Sequence, residues 1–146
     1  MIYDVCALGE ILIDAIAEAD SEVHITGNAG GAPANVLACA TKLGRSCAFI
    51  SKAGDDYIGR WLKKIIDENA INTDGLILSP GKNTAIAMVS LSADGNRSFS
   101  FYRSGCADTS LERSELRLDI IKNSRMFHFG SVSLTCLLYT SPSPRD

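Results

Sequence analysis

A glycine-rich segment runs directly into an apolar segment with helical periodicity, and this junction is the clearest candidate for ligand chemistry. Gly27, Gly30 and Gly31 precede Pro33, and apolar residues recur at helical spacing over Val36–Leu43. The start of a helix presents unpaired N–H groups and partial positive charge, and glycines let a ligand approach the backbone closely. The glycines do not follow the dinucleotide-binding spacing G-x-G-x-x-G, and the chain contains no G-x-x-x-x-G-K-[ST] phosphate loop. By itself, the junction is therefore compatible with both a ligand site and a simple turn.

Composition and charge argue against several other classes of function. The formal net charge of -3 does not favour a nucleic-acid partner. Two histidines and five cysteines without a C-x-x-C pair do not supply a zinc site, and we expect the cysteines to be small buried thiols. Asp4, Glu10 and Asp14 interrupt the first apolar stretch, which is unlike a signal peptide, and no run is apolar and long enough to span a bilayer. We therefore predict a cytoplasmic protein with no metal site in this chain and no nucleic-acid or membrane partner.

The elements that must position the glycine junction alternate between strands and helices. Apolar, β-leaning runs at 2–8, 46–52, 75–79 and 126–130 predict buried strands, and the junction itself predicts a helix that ends before a glycine. A second helix is predicted to begin at Asp55 and Asp56, whose negative charge suits a helix N-terminus. A third, capped helix is predicted over Ser114–Asn123. This order predicts an α/β fold with a parallel sheet covered by helices.

A predicted hairpin interrupts this alternation. Thr84–Leu91 and Arg97–Arg103 are β-leaning runs joined by Ala93–Asn96, whose Asp-Gly pair is a strong turn signal. Because side chains alternate along a strand, Phe101 and Arg103 should share one face of the second run. The hairpin predicts a small sheet that projects from the main domain and covers a ligand.

These segments resemble, in the same order, the ribokinase-like (PfkB-type) carbohydrate kinases, and within them the fructokinase branch. Gly30–Val36 resembles the N-terminal signature of the family, and Gly9–Asp14 resembles the opening strand motif of the fructokinases. Phe99–Arg103 resembles their lid, and His128–Ser131 is similar to the next core strand. The resemblance extends over nearly all of residues 1–135.

The resemblance implies a ribokinase-like α/β/α sandwich, truncated, with a small β-sheet lid. The lid strands would lie near 11–26 and 84–103, and residues 1–135 would form the N-terminal part of a kinase domain. Residues 136–146 contain two prolines and no periodicity, and we expect them to be a non-native, disordered tail.

The resemblance also implies a sugar site made of a carboxylate, an amide, a bare backbone segment and two lid side chains: Asp14, Asn35, Gly30, Gly31, Phe101 and Arg103. Asp14 would accept hydrogen bonds from two adjacent hydroxyls, and Asn35 can both donate and accept. Phe101 would stack on the sugar, and Arg103 would hydrogen-bond to it. Without the resemblance, the same residue types would also suit a strand-end turn, a helix-surface amide and an exposed lid charge.

The implied reaction is transfer of the γ-phosphate of ATP to a sugar hydroxyl, with fructose the leading substrate. Such an enzyme would use ATP and Mg²⁺, with a monovalent cation as an optional addition. The family's catalytic aspartate lies in a later G-A-G-D-type motif that this sequence lacks, so no catalytic residue is assigned and the chain alone should be inactive.

Two alternatives remain open at this point. In a 2-keto-3-deoxygluconate kinase, Arg103 would pair with the substrate carboxylate. In a non-catalytic sugar-binding or dimerisation module, the lid would form a homodimer interface.

Overall fold

Two four-stranded sheets organise the described part of the chain, which in this computed structural model comprises residues 3–19, 23–91 and 96–135. In chain order the elements are β1 (Tyr3–Leu8), β2 (Leu12–Ala19), β3 (Val23–Gly30), α1 (Ala32–Lys42), β4 (Cys47–Gly54), α2 (Tyr57–Glu68), β5 (Ile71–Ser79), β6 (Ala85–Leu91), β7 (Arg97–Tyr102), α3 (Leu118–Lys122) and β8 (Ser124–Phe129). Short 3₁₀ turns occupy Ala107–Ser110, Arg113–Glu115 and Ser131–Thr135.

The main sheet is entirely parallel, as the alternation of strands and helices predicts. Its strand order is β5-β4-β1-β8, and every pairing between neighbours is parallel. Every residue of β4 is buried, because helices cover both faces of the sheet there. Leu37 of α1 and Leu62 of α2 pack against Phe49 on one face. On the other face, Ile120 of α3 packs in a smaller cluster with Cys6 and Ile50.

The second sheet is the predicted lid. Its order is β3-β2-β6-β7, with β2 parallel to β6 and the two outer pairs antiparallel. The predicted hairpin forms as β6 and β7, although its turn residues 92–95 lie outside the described residues, as do 20–22 between β2 and β3. The strands of this sheet lie within 12–30 and 85–102, and the bounds near 11–26 and 84–103 for the lid stay a prediction.

The two longer helices begin and end where the sequence signals indicate. In α1, Pro33 lies in the first turn, and Gly44 beyond the helix has a φ of 77°, a left-handed conformation that favours glycine. Helix α2 begins after Asp56, whose side chain accepts a hydrogen bond from the backbone N–H of Gly59. Among the described residues, no helix is both long and apolar enough to cross a bilayer.

Two local predictions, for the segment 114–123 and for Cys39, were wrong. The segment 114–123 is not one helix: Glu112 and Glu115 close a 3₁₀ turn by reciprocal hydrogen bonds, Leu116 is extended, and only α3 is α-helical. The glycine-rich segment, for which the sequence left a simple turn open, is mostly paired strand, because β3 continues to Gly30. Cys39 is exposed on α1, whereas Cys6, Cys47 and Cys106 are buried as expected. Cys136 lies outside the described residues, as does the rest of the predicted tail, 137–146.

Candidate functional site

Asp14 lies in β2 on the face of the lid sheet that contains its most polar residues. The strand register places Asn28 of β3 on one side of it and Ala87 of β6 on the other. The carboxylate lies directly over Gly30, where any β-carbon would collide with its oxygens. Burial raises the pKa of Asp14. The absence of a side chain at the buried Gly30 thus provides the space that the Asp14 carboxylate occupies.

Gly31 is the residue at which the chain turns from β3 into α1. Its φ is 113°, and a β-carbon there would come within 2.5 Å of the carbonyl oxygen of Glu10. Its own carbonyl accepts a hydrogen bond from the backbone N–H of Asn35 at 3.0 Å. The Asn35 side chain is exposed on the first turn of α1. The first turn of α1, which carries the exposed Asn35 side chain, therefore follows directly on Gly30, over which the carboxylate of Asp14 lies.

Phe101 shares the lid face of Asp14. Phe101 lies in β7 and pairs with Ala87 of β6, which in turn pairs with Asp14, so one strand separates the Phe101 ring from Asp14. The ring is 57% exposed and stacks on Phe99 with 6.2 Å between ring centroids. An exposed aromatic surface on the same sheet face as a carboxylate, one strand away, is suited to the apolar face and the hydroxyls of a sugar.

Arg103 follows β7 and points toward the core rather than along the exposed lid. Its Nε donates a hydrogen bond to Oδ2 of Asp108 at 2.5 Å, and only 12% of the arginine side chain and 3% of the aspartate side chain are exposed. Its Nη1 donates to the carbonyl oxygen of Val132 at 3.4 Å. Burial raises the pKa of Asp108, although the hydrogen bond from Arg103 opposes that shift. Arg103 is therefore part of a buried ion pair at the base of the lid.

Two cavities border these residues. A cavity of about 190 Å³ is lined by a mixed polar and apolar set: Asp14, Ile16, Asn28, Val89, Arg97 and Phe99. A larger one, of about 640 Å³, lies between β7 and the start of α2 and includes Phe101 and Arg103. The smaller cavity joins a carboxylate, an amide, a guanidinium group and an aromatic ring, a combination that suits a polyhydroxylated ligand.

The structure brings four of the six predicted site residues together. Asp14, Gly30 and Gly31 meet at the junction of lid and helix, and Asn35 is one helical turn away. Phe101 faces the same side across one strand, and Arg103 is held by Asp108. No cluster of three or more His, Cys, Asp or Glu side chains suited to a metal occurs within 3–19, 23–91 and 96–135.

Sequence reasoning missed three residues at this junction. Asn28 lies beside Asp14 only because β2 and β3 pair in antiparallel register. Asp108 follows Arg103 by five residues, but the sequence does not show that the two side chains form an ion pair. Glu10 is a carboxylate inside an apolar run that is only 3% exposed in the fold. The available sign in the sequence was an acidic residue between two apolar, strand-like runs.

Comparison with known proteins was consistent in sequence and in structure. The profile of the pfkB family carbohydrate kinases matches residues 3–143. The chain is 44% identical over 135 residues to a probable fructokinase-5 of Arabidopsis thaliana, covering 89% of this chain and 42% of that protein. The chain thus spans about two fifths of the length of the curated relatives it matches.

Solved structures of sugar kinases have the same fold. A fructokinase from Xylella fastidiosa aligns with a TM-score of 0.80 and 32% identity, covering 88% of this chain and 41% of that one. An uncharacterized sugar kinase from Pyrococcus horikoshii in complex with ATP aligns with a TM-score of 0.83 and 31% identity, covering 91% and 45%. The predicted ribokinase-like fold is confirmed. The family match continues past residue 135, and the predicted boundary there stays a prediction.

Proposed function

Since the chain belongs to the pfkB family of carbohydrate kinases, we propose that it forms the sugar-binding part of a fructokinase-like enzyme. That enzyme would transfer the γ-phosphate of ATP to a hydroxyl of the sugar. The observation that carries the proposal is the Asp14 carboxylate lying over Gly30 at the start of α1. A carboxylate accepts from two hydroxyls at once, and the absence of a side chain at Gly30 leaves room for the carboxylate itself.

Fructose is the preferred substrate of this proposal over a sugar acid. Recognition of a sugar carboxylate would use a guanidinium group at the lid, and Arg103 was the candidate for it. Its Nε is engaged by the buried carboxylate of Asp108. Separating a buried ion pair leaves an uncompensated charge, which is strongly unfavourable. This makes Arg103 a poor partner for the carboxylate of 2-keto-3-deoxygluconate, although Arg97 lines the same cavity as Asp14.

ATP as the phosphate donor is supported by the solved structure of a similar sugar kinase in complex with ATP. We also propose Mg²⁺ for the whole enzyme, with a monovalent cation as an optional addition. The described residues contain no group of three or more His, Cys, Asp or Glu side chains that could hold a metal ion, and we assign no magnesium ligand to them. We therefore derive no catalytic step from them. Location in the cytoplasm also stays a prediction.

Homodimerisation through the lid is part of the proposal. Within the described residues, β3 and β7 are the outer strands of the lid sheet, with exposed Ile25 on one and exposed Tyr102 on the other. Unpaired strand edges with apolar side chains favour association between chains. Sedimentation of the chain before and after Tyr102→Lys would test this: a dimer that becomes a monomer supports the lid interface, and an unchanged species contradicts it.

Titration of the isotope-labelled chain with fructose tests the sugar site directly. We expect amide shifts to concentrate at Asp14, Gly30, Gly31 and Asn35, and Asp14→Ala to weaken binding about tenfold or more, the loss of one charged hydrogen bond. Asp74→Ala, an exposed aspartate on β5, is the matched control and should leave binding unchanged. Incubation with fructose, ATP and Mg²⁺ should release no ADP above background. Shifts confined to other regions, or ADP release, would contradict the proposal.

A further inference from the structure

Glu10 holds the start of α1 from outside the helix. It lies between β1 and β2, and only 3% of it is exposed. Its Oε1 accepts a hydrogen bond from the backbone N–H of Ala32, the first residue of α1, at 3.2 Å. Its Oε2 accepts one from the hydroxyl of Ser133 at 3.2 Å. One carboxylate thus joins the sugar-side end of α1 to the segment that follows β8.

The helix needs this external partner because its own capping position carries no side chain. The residue at the N-cap is Gly31, and it makes no side-chain hydrogen bond to the helix. A side chain there is excluded by the carbonyl oxygen of Glu10 and by the positive φ. The first N–H groups of a helix have no partner within the helix, and a negative charge near them is stabilising. Glu10 supplies both the acceptor and the charge.

The packing around the carboxylate leaves it little freedom to move. A β-carbon at Gly130 would lie 2.7 Å from Oε2 of Glu10 and 2.7 Å from Cγ of Pro33. Gly9, next to Glu10, would likewise meet Pro33 at 2.5 Å if it carried a β-carbon. The first turn of α1, the connection between β1 and β2, and the end of β8 therefore meet at Glu10 in close contact.

We propose that Glu10 is a positioning residue that sets the backbone of Gly31 and Ala32 for sugar binding. The inference rests on the proposed sugar site, because the same turn carries Gly30, Gly31 and Asn35. Glu10 does not contact the sugar in this proposal. It acts by fixing the turn against which the sugar lies, so that the sugar does not have to order that turn on binding.

The test combines local hydrogen exchange with fructose affinity. In Glu10→Ala, the Ala32 amide should exchange about tenfold faster than in the wild type, since it loses its charged partner. Amides in the centre of β4 should keep their rates. Fructose binding should weaken by about the same factor. Glu10→Gln keeps a carbonyl acceptor for Ala32 and should stay within about threefold of the wild type on both measures.

Two further variants complete the design. Glu68→Ala removes an exposed carboxylate at the end of α2 and should change neither measure. Glu10→Asp keeps the charge but shortens the reach, so it should behave like Glu10→Ala and can replace it if the alanine variant does not fold.

The outcomes separate the two proposals. Unchanged exchange at Ala32, or faster exchange there with unchanged fructose affinity, would overturn the positioning role. Faster exchange at every amide alike would also overturn it, because Glu10 would then serve global stability alone. A wild-type chain that shows no fructose-induced shift would overturn the proposed sugar site instead, and the Ala32 exchange rate would still decide whether Glu10 sets the turn.

Discussion

At the scale of single residues, Asp14 would meet opposite demands from folding and from the sugar binding that we propose for it. Burial raises its pKa, so the fold disfavours the charged form. The ionised carboxylate, however, is the better acceptor of hydrogen bonds from two sugar hydroxyls. Residues that bind ligands commonly reduce stability in this way, because the ligand supplies the partners that the free protein lacks.

The pH dependence of stability follows from the direction of that shift. The folded chain binds the Asp14 proton more tightly than the unfolded chain, so this group lowers stability as pH rises from 3.8 through the raised folded pKa. Asp14→Asn should therefore melt at a higher temperature than the wild type at pH 7, and the difference should vanish near pH 3. Thermal unfolding across this range measures it, with Glu68→Gln as an exposed control. A lower melting temperature for Asp14→Asn at pH 7 would contradict the sign.

The same residue should control catalysis in a full-length enzyme that contains this segment. Asp14→Ala removes charged hydrogen bonds worth roughly 1.5–3 kcal/mol each. The kcat/KM for fructose should fall by about one to two decades for one lost bond, and the KM for ATP should hardly change. The kcat/KM of Asp14→Asn for fructose should lie between those of the wild type and Asp14→Ala. Steady-state kinetics with each substrate varied in turn is the measurement, and an unchanged sugar kcat/KM would assign Asp14 a structural role.

At the scale of elements, Asp56 joins helix α2 to the first residues before β6. Its carboxylate accepts hydrogen bonds from the backbone N–H of Gly59 at 2.7 Å, the backbone N–H of Thr84 at 2.7 Å and the Thr84 hydroxyl at 2.8 Å. Burial alone would raise the pKa of Asp56, but these hydrogen bonds together lower it. The cap of one helix is thereby also the anchor of the lid strand that passes beside Asp14.

Asp56→Ala should lower the free energy of unfolding by about 1–2 kcal/mol, the usual loss for a helix cap. Because the folded pKa is lowered, the stabilisation should be present above pH 3.8 and disappear as pH falls through the folded pKa. Urea unfolding at pH 7 and at low pH measures both effects. Asp55 immediately precedes Asp56 and pairs with the exposed Arg60. Asp55→Ala should therefore lower the free energy of unfolding much less. Equal losses from the two variants would contradict the cap.

At the scale of the whole molecule, β8 forms an apolar border of the main sheet. Among the described strands it pairs with β1 alone. Met126, Phe127 and Phe129 are 62%, 43% and 50% exposed. Parallel sheets normally have both faces covered, and clustered exposed aromatic residues favour association. This surface should dominate the behaviour of the chain in solution.

Met126→Thr combined with Phe127→Thr should reduce the binding of a hydrophobic dye and shift the chain toward a single species in size-exclusion chromatography. The physical reason is the loss of exposed apolar surface on both faces of β8, since consecutive residues of a strand face opposite sides of the sheet. Tyr57→Thr, which removes an 82% exposed ring on α2 away from β8, is the control and should leave dye binding unchanged. Equal dye binding by the wild type, the double variant and Tyr57→Thr would show that the dye binds to a surface other than β8.

Local patterns account for the parts of the fold that were predicted correctly. Apolar periodicity, Pro33 and Gly44 defined α1, and the paired aspartates defined the start of α2, because each signal acts within a few residues. The Asp-Gly turn between two β-leaning runs likewise predicted β6 and β7. Resemblance to a family then identified Asp14 and the glycine junction, which spacing alone left ambiguous between a site and a turn.

Contacts between distant segments decided the rest. The sequence determined which residues favour strand, helix or turn, since those preferences are local. Only the tertiary structure decided that Asn28 stands beside Asp14, that Arg103 is paired with Asp108, and that Glu10 caps a helix 22 residues further on. Each of these depends on the register between strands and on which charges are buried together. Neither quantity is encoded in a short stretch of chain, because both arise only when the two sheets and the helices pack together.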